Sequence, residues 1–237
     1  MMKKSILLLF VLALFAGTTS YAQIKETIKK DSTVNQITIS ETGIYEGSKS
    51  NEARTFYNKA IDYEKKDDLM NALKFYLKAI DADTNYVEAY DNAGLTYRRL
   101  GEYDKAIVLY KKSILKYPSG VTAHQNLAVV YSLQKDYEGA NKEYEAIIKL
   151  YPEDPEGYFG LANSYLMQSK LDDALKYANI ALGLYEAAKS PLLNEGQYLV
   201  GLIYYYQGDK DNAKKYLKLA KKNGAEIHPQ LEKELKL

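Results

Sequence analysis

The sequence contains no cysteine and no tryptophan. The first absence excludes disulfide staples, thiolate nucleophiles, thiolate metal sites and a lipidated N-terminal cysteine. A chain so composed holds together mainly by burying apolar side chains. Histidine is nearly missing too: His124 and His228 are the only two. A zinc site would have to recruit carboxylates around one isolated imidazole. Proline is sparse, at five, among abundant Ala, Leu, Lys and Glu, a balance that favours helix. Neither sign of charge dominates, since 32 Lys and Arg face 31 Asp and Glu for a net +1. No strong field therefore draws the chain onto nucleic acid or an anionic membrane. What it has in excess is tyrosine, 24 residues beside five Phe, and the fold must house those rings.

Residues 1–22 read as a secretory signal. Lys3 and Lys4 form a positive start, residues 6–16 are an unbroken apolar run, and Ser20 and Ala22 occupy a small-x-small cleavage site. The run is shorter than the roughly 20 residues a membrane span needs, although an uncleaved anchor is the alternative reading. Cleavage after Ala22 would leave no stable membrane span and a periplasmic or secreted protein of bacterial type. Residues 23–50 form a polar leader rich in Lys, Ser and Thr. It reads as a flexible connector, or else as a β-prone segment, around Thr33 to Ile39, that pairs with a partner's sheet edge.

Beyond the leader the chain repeats itself. Ala72, Ala106, Ala140 and Ala174 are 34 residues apart, as are Tyr63, Tyr97, Tyr131 and Tyr165. Both series then step by 39, to Ala213 and Tyr204. Two residue types sharing one insertion mark five copies of a unit, at 53–86, 87–120, 121–154, 155–188 and 194–227. Small residues at two places in each unit let paired helices approach closely, and bulky rings at other phased places fill the gaps around the crossing. A two-helix hairpin cannot bury both faces alone, so the hairpins must stack. The expectation is an all-α, right-handed α-solenoid over residues 53–227, with residues 228–237 as a capping helix.

Local punctuation agrees. Asp154-Pro155 and Ser190-Pro191 read as helix caps followed by proline, and Asn85 with Glu88 has capping-box spacing. Gly101 and Gly208 fall between the two helices of their hairpins. The five extra residues are expected to lengthen the second helix of the fourth unit through Lys189.

The phased residues resemble the tetratricopeptide repeat family. Its pattern asks for a large, a small and an aromatic residue along the first helix, then Ala, an aromatic and a small residue along the second. Tyr90, Gly94, Tyr97, Ala106, Tyr110 and Ser113, followed by Pro118, satisfy it in the second unit. The other units depart at one place or two, at Ile147 in the third, Ala178 in the fourth, and Gln197 and Leu217 in the fifth.

Candidate chemistry is scarce, and no catalytic residue, metal site or cofactor is expected. His124 stands where the repeat wants a packing residue. Gly157-x-x-Gly160 is not a phosphate-cradling loop. The Asp81 to Asn85 run lacks the glycine and the final glutamate of a calcium loop, and the Asp209 to Asn212 run has Ala213 at a ligand place. Basic residues form no stripe for nucleic acid.

The resemblance implies instead that the first helices line a groove for a protein or peptide partner. Carried over residue by residue, that groove reads Tyr57 and Ile61 in the first unit, and Leu95, Arg98 and Arg99 in the second. It continues with Phe159, Asn163, Leu166 and Met167 in the fourth, and with Tyr198, Leu202, Tyr205 and Tyr206 in the fifth. Lys and Asn, which chaperone-binding members use to clamp a C-terminal carboxylate, are replaced by Tyr57 and Ile61 in the first unit. The expected function is a non-catalytic adaptor or assembly scaffold of the cell envelope. A regulatory or docking subunit of an exported enzyme is the alternative. Oligomeric state is left open.

Overall fold

A computed structural model describes residues 47–237, within which the backbone forms eleven α-helices and no strand. The expected signal and most of the leader lie outside that range. The helices are α1 (Asn51–Glu64) and α2 (Leu69–Ala82), α3 (Val87–Arg99) and α4 (Tyr103–Lys116), and α5 (Val121–Leu133) and α6 (Tyr137–Leu150). They continue with α7 (Pro155–Met167) and α8 (Leu171–Ala187), α9 (Leu193–Gln207) and α10 (Lys210–Lys222), and a short α11 (Pro229–Leu235). The fold class is the expected one, an α-solenoid of helical hairpins. Among the described residues the chain divides into two units, 47–136 with α1 to α5 and 137–237 with α6 to α11.

The 34-residue period is written in the backbone as well as in the side chains. Each first helix ends on the carbonyl of its phased tyrosine. The N–H groups of Asp68, Glu102, Asp136, Lys170 and Asp209 donate to the carbonyls of Tyr63, Tyr97, Tyr131, Tyr165 and Tyr204, at 2.8 to 3.0 Å. The residue before each donor has positive φ: Asp67 58°, Gly101 78°, Lys135 63°, Ser169 59° and Gly208 87°. This is the left-handed turn that satisfies orphan carbonyls at a helix end. Gly101 and Gly208 occupy it as expected. The other three positions carry side chains there and bear the strain of that region.

In unit 47–136, Ala60, Ala72, Ala79, Ala89 and Ala93 have no solvent exposure. At Gly94 a Cβ would lie 2.7 Å from the Tyr110 ring, so the absence of a side chain on α3 is what lets that ring of α4 seat. Tyr63 stacks on Phe75 at 5.4 Å between ring centroids, with the Lys59 ammonium 4.5 Å above the Phe75 ring.

Unit 137–237 repeats the device. Ala174 and Ala213 are fully buried, Tyr165 stacks on Tyr177 at 5.6 Å, and Tyr204 stacks on Tyr216 at 5.7 Å. A Cβ on Gly160 would lie 2.1 Å from the Tyr144 ring, and one on Gly157 would lie 2.8 Å from Ile148. The Gly157-x-x-Gly160 pair thus lets α7 lie close against α6. Leu231 and Leu235 of α11 are buried in one apolar cluster with Leu217 and Ala220 of α10 and Leu202 of α9. Lys221 pairs with Glu232 of α11 at 2.7 Å.

Three local expectations are corrected. Asn85 and Glu88 form no capping box: the N-cap of α3 is Tyr86, with no side-chain cap. The Asn85 side chain instead accepts from Lys116. Ser190-Pro191 opens a turn, since the N–H of Leu192 donates to the Ser190 hydroxyl and α9 starts at Leu193. The α8 helix stops at Ala187, not Lys189. It has 17 residues where α2, α4 and α6 have 14, so three of the five extra residues extend the helix. Lys189 turns left-handed at φ 48°, and the N–H of Ser190 closes onto Tyr185.

Candidate partner-binding surface

In unit 47–136 the expected surface residues sit on α1 and α3. Tyr57 is half-buried, its ring 5.5 Å from Tyr76 and 4.9 Å from Tyr86, and its hydroxyl accepts from the Asn92 amide. Ile61 and Leu95 are half-buried. Burial, then the charges of Glu88, Glu64 and Asp91 among its neighbours, push the Tyr57 hydroxyl far above the ordinary tyrosine value. Tyr76 donates to Glu64 at 2.7 Å. Arg99 is engaged across the helix pair, 3.3 Å from Glu64 and 2.7 Å from Asp67. Arg98 is half-buried with its Nη1 lacking a hydrogen-bond acceptor. Of the expected pair, Arg99 thus already serves acids of its own chain.

In unit 137–237 the expected residues lie on α7 and α9. Phe159, Met167, Tyr205 and Tyr206 are half-buried. The Phe159 ring meets Tyr185 edge-on at 6.1 Å, and Tyr205 meets Tyr206 edge-on at 5.5 Å. Tyr205 also donates to Glu234 of α11 at 2.7 Å, so it helps hold the terminal helix. Four expected surface residues are corrected to interior ones: Asn163, Leu166, Tyr198 and Leu202 are 3%, 0%, 7% and 1% exposed. The three apolar ones belong to one cluster with residues of α8, α10 and α11. A helix that is apolar nearly all round gives its side chains to the stack first.

The most polar feature of this face is not among the residues singled out above. Glu156 and Glu195 stand at matching places in the first turns of α7 and α9. Glu156 accepts from the Tyr185 hydroxyl at 2.7 Å. Burial raises the Glu156 carboxyl above its ordinary value, the Tyr185 hydrogen bond pulls it back, and the charges of Asp154 and Glu195 add to the rise. Burial raises Glu195 as well. The signal was available: Tyr117, Tyr151 and Tyr185 are 34 residues apart. The first two lie just past the ends of α4 and α6, whereas α8 continues through Tyr185.

These raised carboxyls set a pH dependence. A carboxyl with a raised folded pKa adds stability that is full below its unfolded pKa and is lost as pH rises through the folded value. The melting temperature of the protein is therefore expected to rise on going from about pH 8 to about pH 5. In the double variant Glu156→Gln with Glu195→Gln that gain shrinks. Thermal melts followed by circular dichroism at fixed ionic strength check this, and an identical pH profile in the variant would refute it. Asp68, Asp83 and Asp209, held low mainly by hydrogen bonds, act in the opposite sense. Their contribution is lost only as pH falls below the ordinary carboxylate range.

The remaining candidates have local duties. The His124 ring is 7% exposed, with Nε2 3.1 Å from the Pro118 carbonyl oxygen. Asp209 caps α10 by accepting from the N–H and side-chain amide of Asn212, and Asp68 caps α2 through Asn71 in the same way. No helix among the described residues is long and apolar enough to cross a membrane.

The tetratricopeptide repeat family model matches residues 92–155, 126–192 and 159–226, and a second model of that description matches residues 75–108. Among solved structures, MamA from Desulfovibrio magneticus RS-1 superposes with a TM-score of 0.62 at 18% identity, over 79% of this chain and 98% of that one. A further MamA crystal structure gives 0.59 at 24% identity, over 75% and 97%. YrrB, described as a TPR protein with an unusual peptide-binding site, gives 0.57 at 22% identity, over 78% and 92%. These likenesses carry the fold alone. No curated protein matches the sequence.

Proposed function

Because the chain belongs to the tetratricopeptide repeat family, we propose that it is a non-catalytic adaptor or assembly scaffold of the bacterial cell envelope. It binds a peptide or helix of another protein along its first helices. The observation that carries this reading is the contrast between the fully buried phased alanines and the half-buried rings of Tyr57 and Phe159 beside them. Those rings are amphipathic or apolar anchors on helices that hairpin packing holds rigid. YrrB is the structural neighbour described with a peptide-binding site. Export is inferred from the charged start, apolar run and small-x-small site of residues 1–22.

A photo-crosslinking residue placed in turn at Tyr57, Phe159 and Leu115 tests the surface in living cells. Leu115 lies on a second helix and is 78% exposed. Capture of a discrete protein from Tyr57 or Phe159, with none from Leu115, is the expected result; the reverse pattern would overturn the assignment. Fractionation of the same cells should find the chain in the periplasm or medium, beginning at Gln23.

A further inference from the structure

We propose that the exposed side of α10 docks on an anionic lipid membrane, through its lysines and Leu219. The near-zero charge of the whole chain hides a local excess. Between Asn212 and Ala225 stand five lysines and no acid, and Lys210 precedes them. The other second helices of unit 137–237 are built differently. In α6, Glu138, Glu143 and Glu145 outnumber Lys142 and Lys149, and Lys142 pairs with Glu138 at 2.8 Å. In α8, Asp172, Asp173 and Glu186 outnumber Lys176. Of the α10 lysines, only Lys221 has an acid within ion-pair distance among the described residues, Glu232 at 2.7 Å. Lys214, Lys218 and Lys222 follow one another at four-residue spacing, where like charges on a helix repel. The helix dipole accounts for Lys221 and Lys222 in the last turn, but not for Lys214, Lys215 or Lys218. An anionic surface turns that standing repulsion into attraction.

A second observation concerns apolar groups. Leu219 is 38% exposed, and Ile180 of α8 is 37% exposed. They are 39 residues apart, the step that relates Ala174 to Ala213. The same step relates Lys176 to Lys215, whose ammonium groups lie 5.2 and 5.3 Å over the rings of Tyr177 and Tyr216. Both helices pack on α9, so aliphatic side chain, ring and ammonium recur together on the exposed side of unit 137–237. Aliphatic groups and tyrosine rings suit the boundary between headgroups and acyl chains, while lysine stems reach the phosphates. A nucleic acid is less well served. The α10 cations include no arginine fork, and the Tyr216 ring is already stacked on Tyr204. This surface lies on second helices and does not depend on what the first helices bind.

The test mixes the chain from Gln23 onward with phosphatidylcholine vesicles, with and without phosphatidylglycerol, and reads co-sedimentation. Omitting residues 1–22 keeps their apolar run out of the measurement. Binding to the anionic vesicles alone, weakening as salt rises, is expected. Lys214→Gln with Lys215→Gln, Lys218→Gln and Lys222→Gln should lower the partition coefficient about tenfold or more. Leu219→Ser leaves the net charge unchanged and should lower it about threefold. A charge-matched control, Lys49→Gln with Lys65→Gln, Lys66→Gln and Lys74→Gln, removes four exposed lysines from unit 47–136 and should bind nearly as the parent does. Equal loss in both four-lysine variants would show a response to net charge alone and would overturn the site, as would equal binding to neutral vesicles. An environment-sensitive dye on Leu219→Cys reports contact with every lysine in place, because the chain has no other cysteine. It should brighten on anionic vesicles, and the same dye on Met70→Cys, at a 67% exposed position of α2, should not. Brightening at both positions or at neither would refute the docking. A duplex oligonucleotide or hexaglutamate held more tightly than the vesicles, by the same lysines, would overturn lipid as the occupant. Protein capture from Tyr57 or Phe159 should persist in the α10 four-lysine variant, so either reading can fail without the other.

Discussion

Replacing Tyr185 by alanine is expected to destabilise the protein by about 3–5 kcal/mol, the cost of removing a large buried ring. The side chain is 2% exposed, packs edge-on against Phe159, and lies 2.9 Å from where a Cβ on Gly196 would stand. It thus fills the space between α8 and the two neighbouring first helices. The substitution opens a cavity and at the same time removes the donor to Glu156. Tyr185→Phe separates the two contributions: it keeps the ring and loses only the hydroxyl, at about 0.5–2 kcal/mol. Urea denaturation at neutral pH checks the pair. Equal losses in Y185A and Y185F would show that the ring does not pack as described.

Gly160→Ala is the second large effect, and its direction runs against helix propensity. Alanine in a helix interior is favoured over glycine by about 1 kcal/mol, so propensity alone forecasts a gain. The new methyl would stand 2.1 Å from the Tyr144 ring, which is 4% exposed and has little room to yield. Overpacking of this kind costs about 1–3 kcal/mol, and a net loss of stability is expected. Gly183 of α8 supplies the contrast, because nothing lies within 4 Å of its would-be Cβ. Gly183→Ala is expected to stabilise by about 0.5–1 kcal/mol. Melting temperatures moving the same way in both variants would refute the close contact between α6 and α7.

The architecture was legible because its evidence is periodic. Ala72, Ala106, Ala140, Ala174 and Ala213 recur in step with a tyrosine series, and all five are fully buried. Caps were legible where they combine two signals, as in Asp154-Pro155, whose carboxylate accepts from the N–H of Glu156. They were missed where the signal is a bare Asp-x-x-Asn, at Asp68 and Asp209. Such a pair reads as ordinary surface polarity until the backbone shows the N–H turning toward it. The binding face was the hardest part. Both α7 and α9 are apolar nearly all round, so periodicity does not say which side meets the neighbouring hairpin. Leu166 and Leu202 went to the interior for that reason, while Phe159 stayed half-buried. Glu156 and Glu195 fall at the second place of their units, where an acid in the first turn of a helix already has a sufficient explanation in the helix dipole. Only their desolvation sets them apart, and desolvation is a tertiary fact.

The hairpin turns also bear on how such a chain can change. Each is latched by main-chain atoms, an N–H meeting a tyrosine carbonyl, so the latch makes no demand on the side chain that the turning residue carries. Aspartate, lysine, serine and glycine all occupy that corner in one molecule. Substitution there can invert a local charge, add a hydroxyl or relieve strain while the joint itself is preserved. Asp67 has already been recruited in this way, as the carboxylate that meets Arg99 of the following hairpin. The corners are accordingly the places where new chemistry can be tried with the least disturbance to the stack.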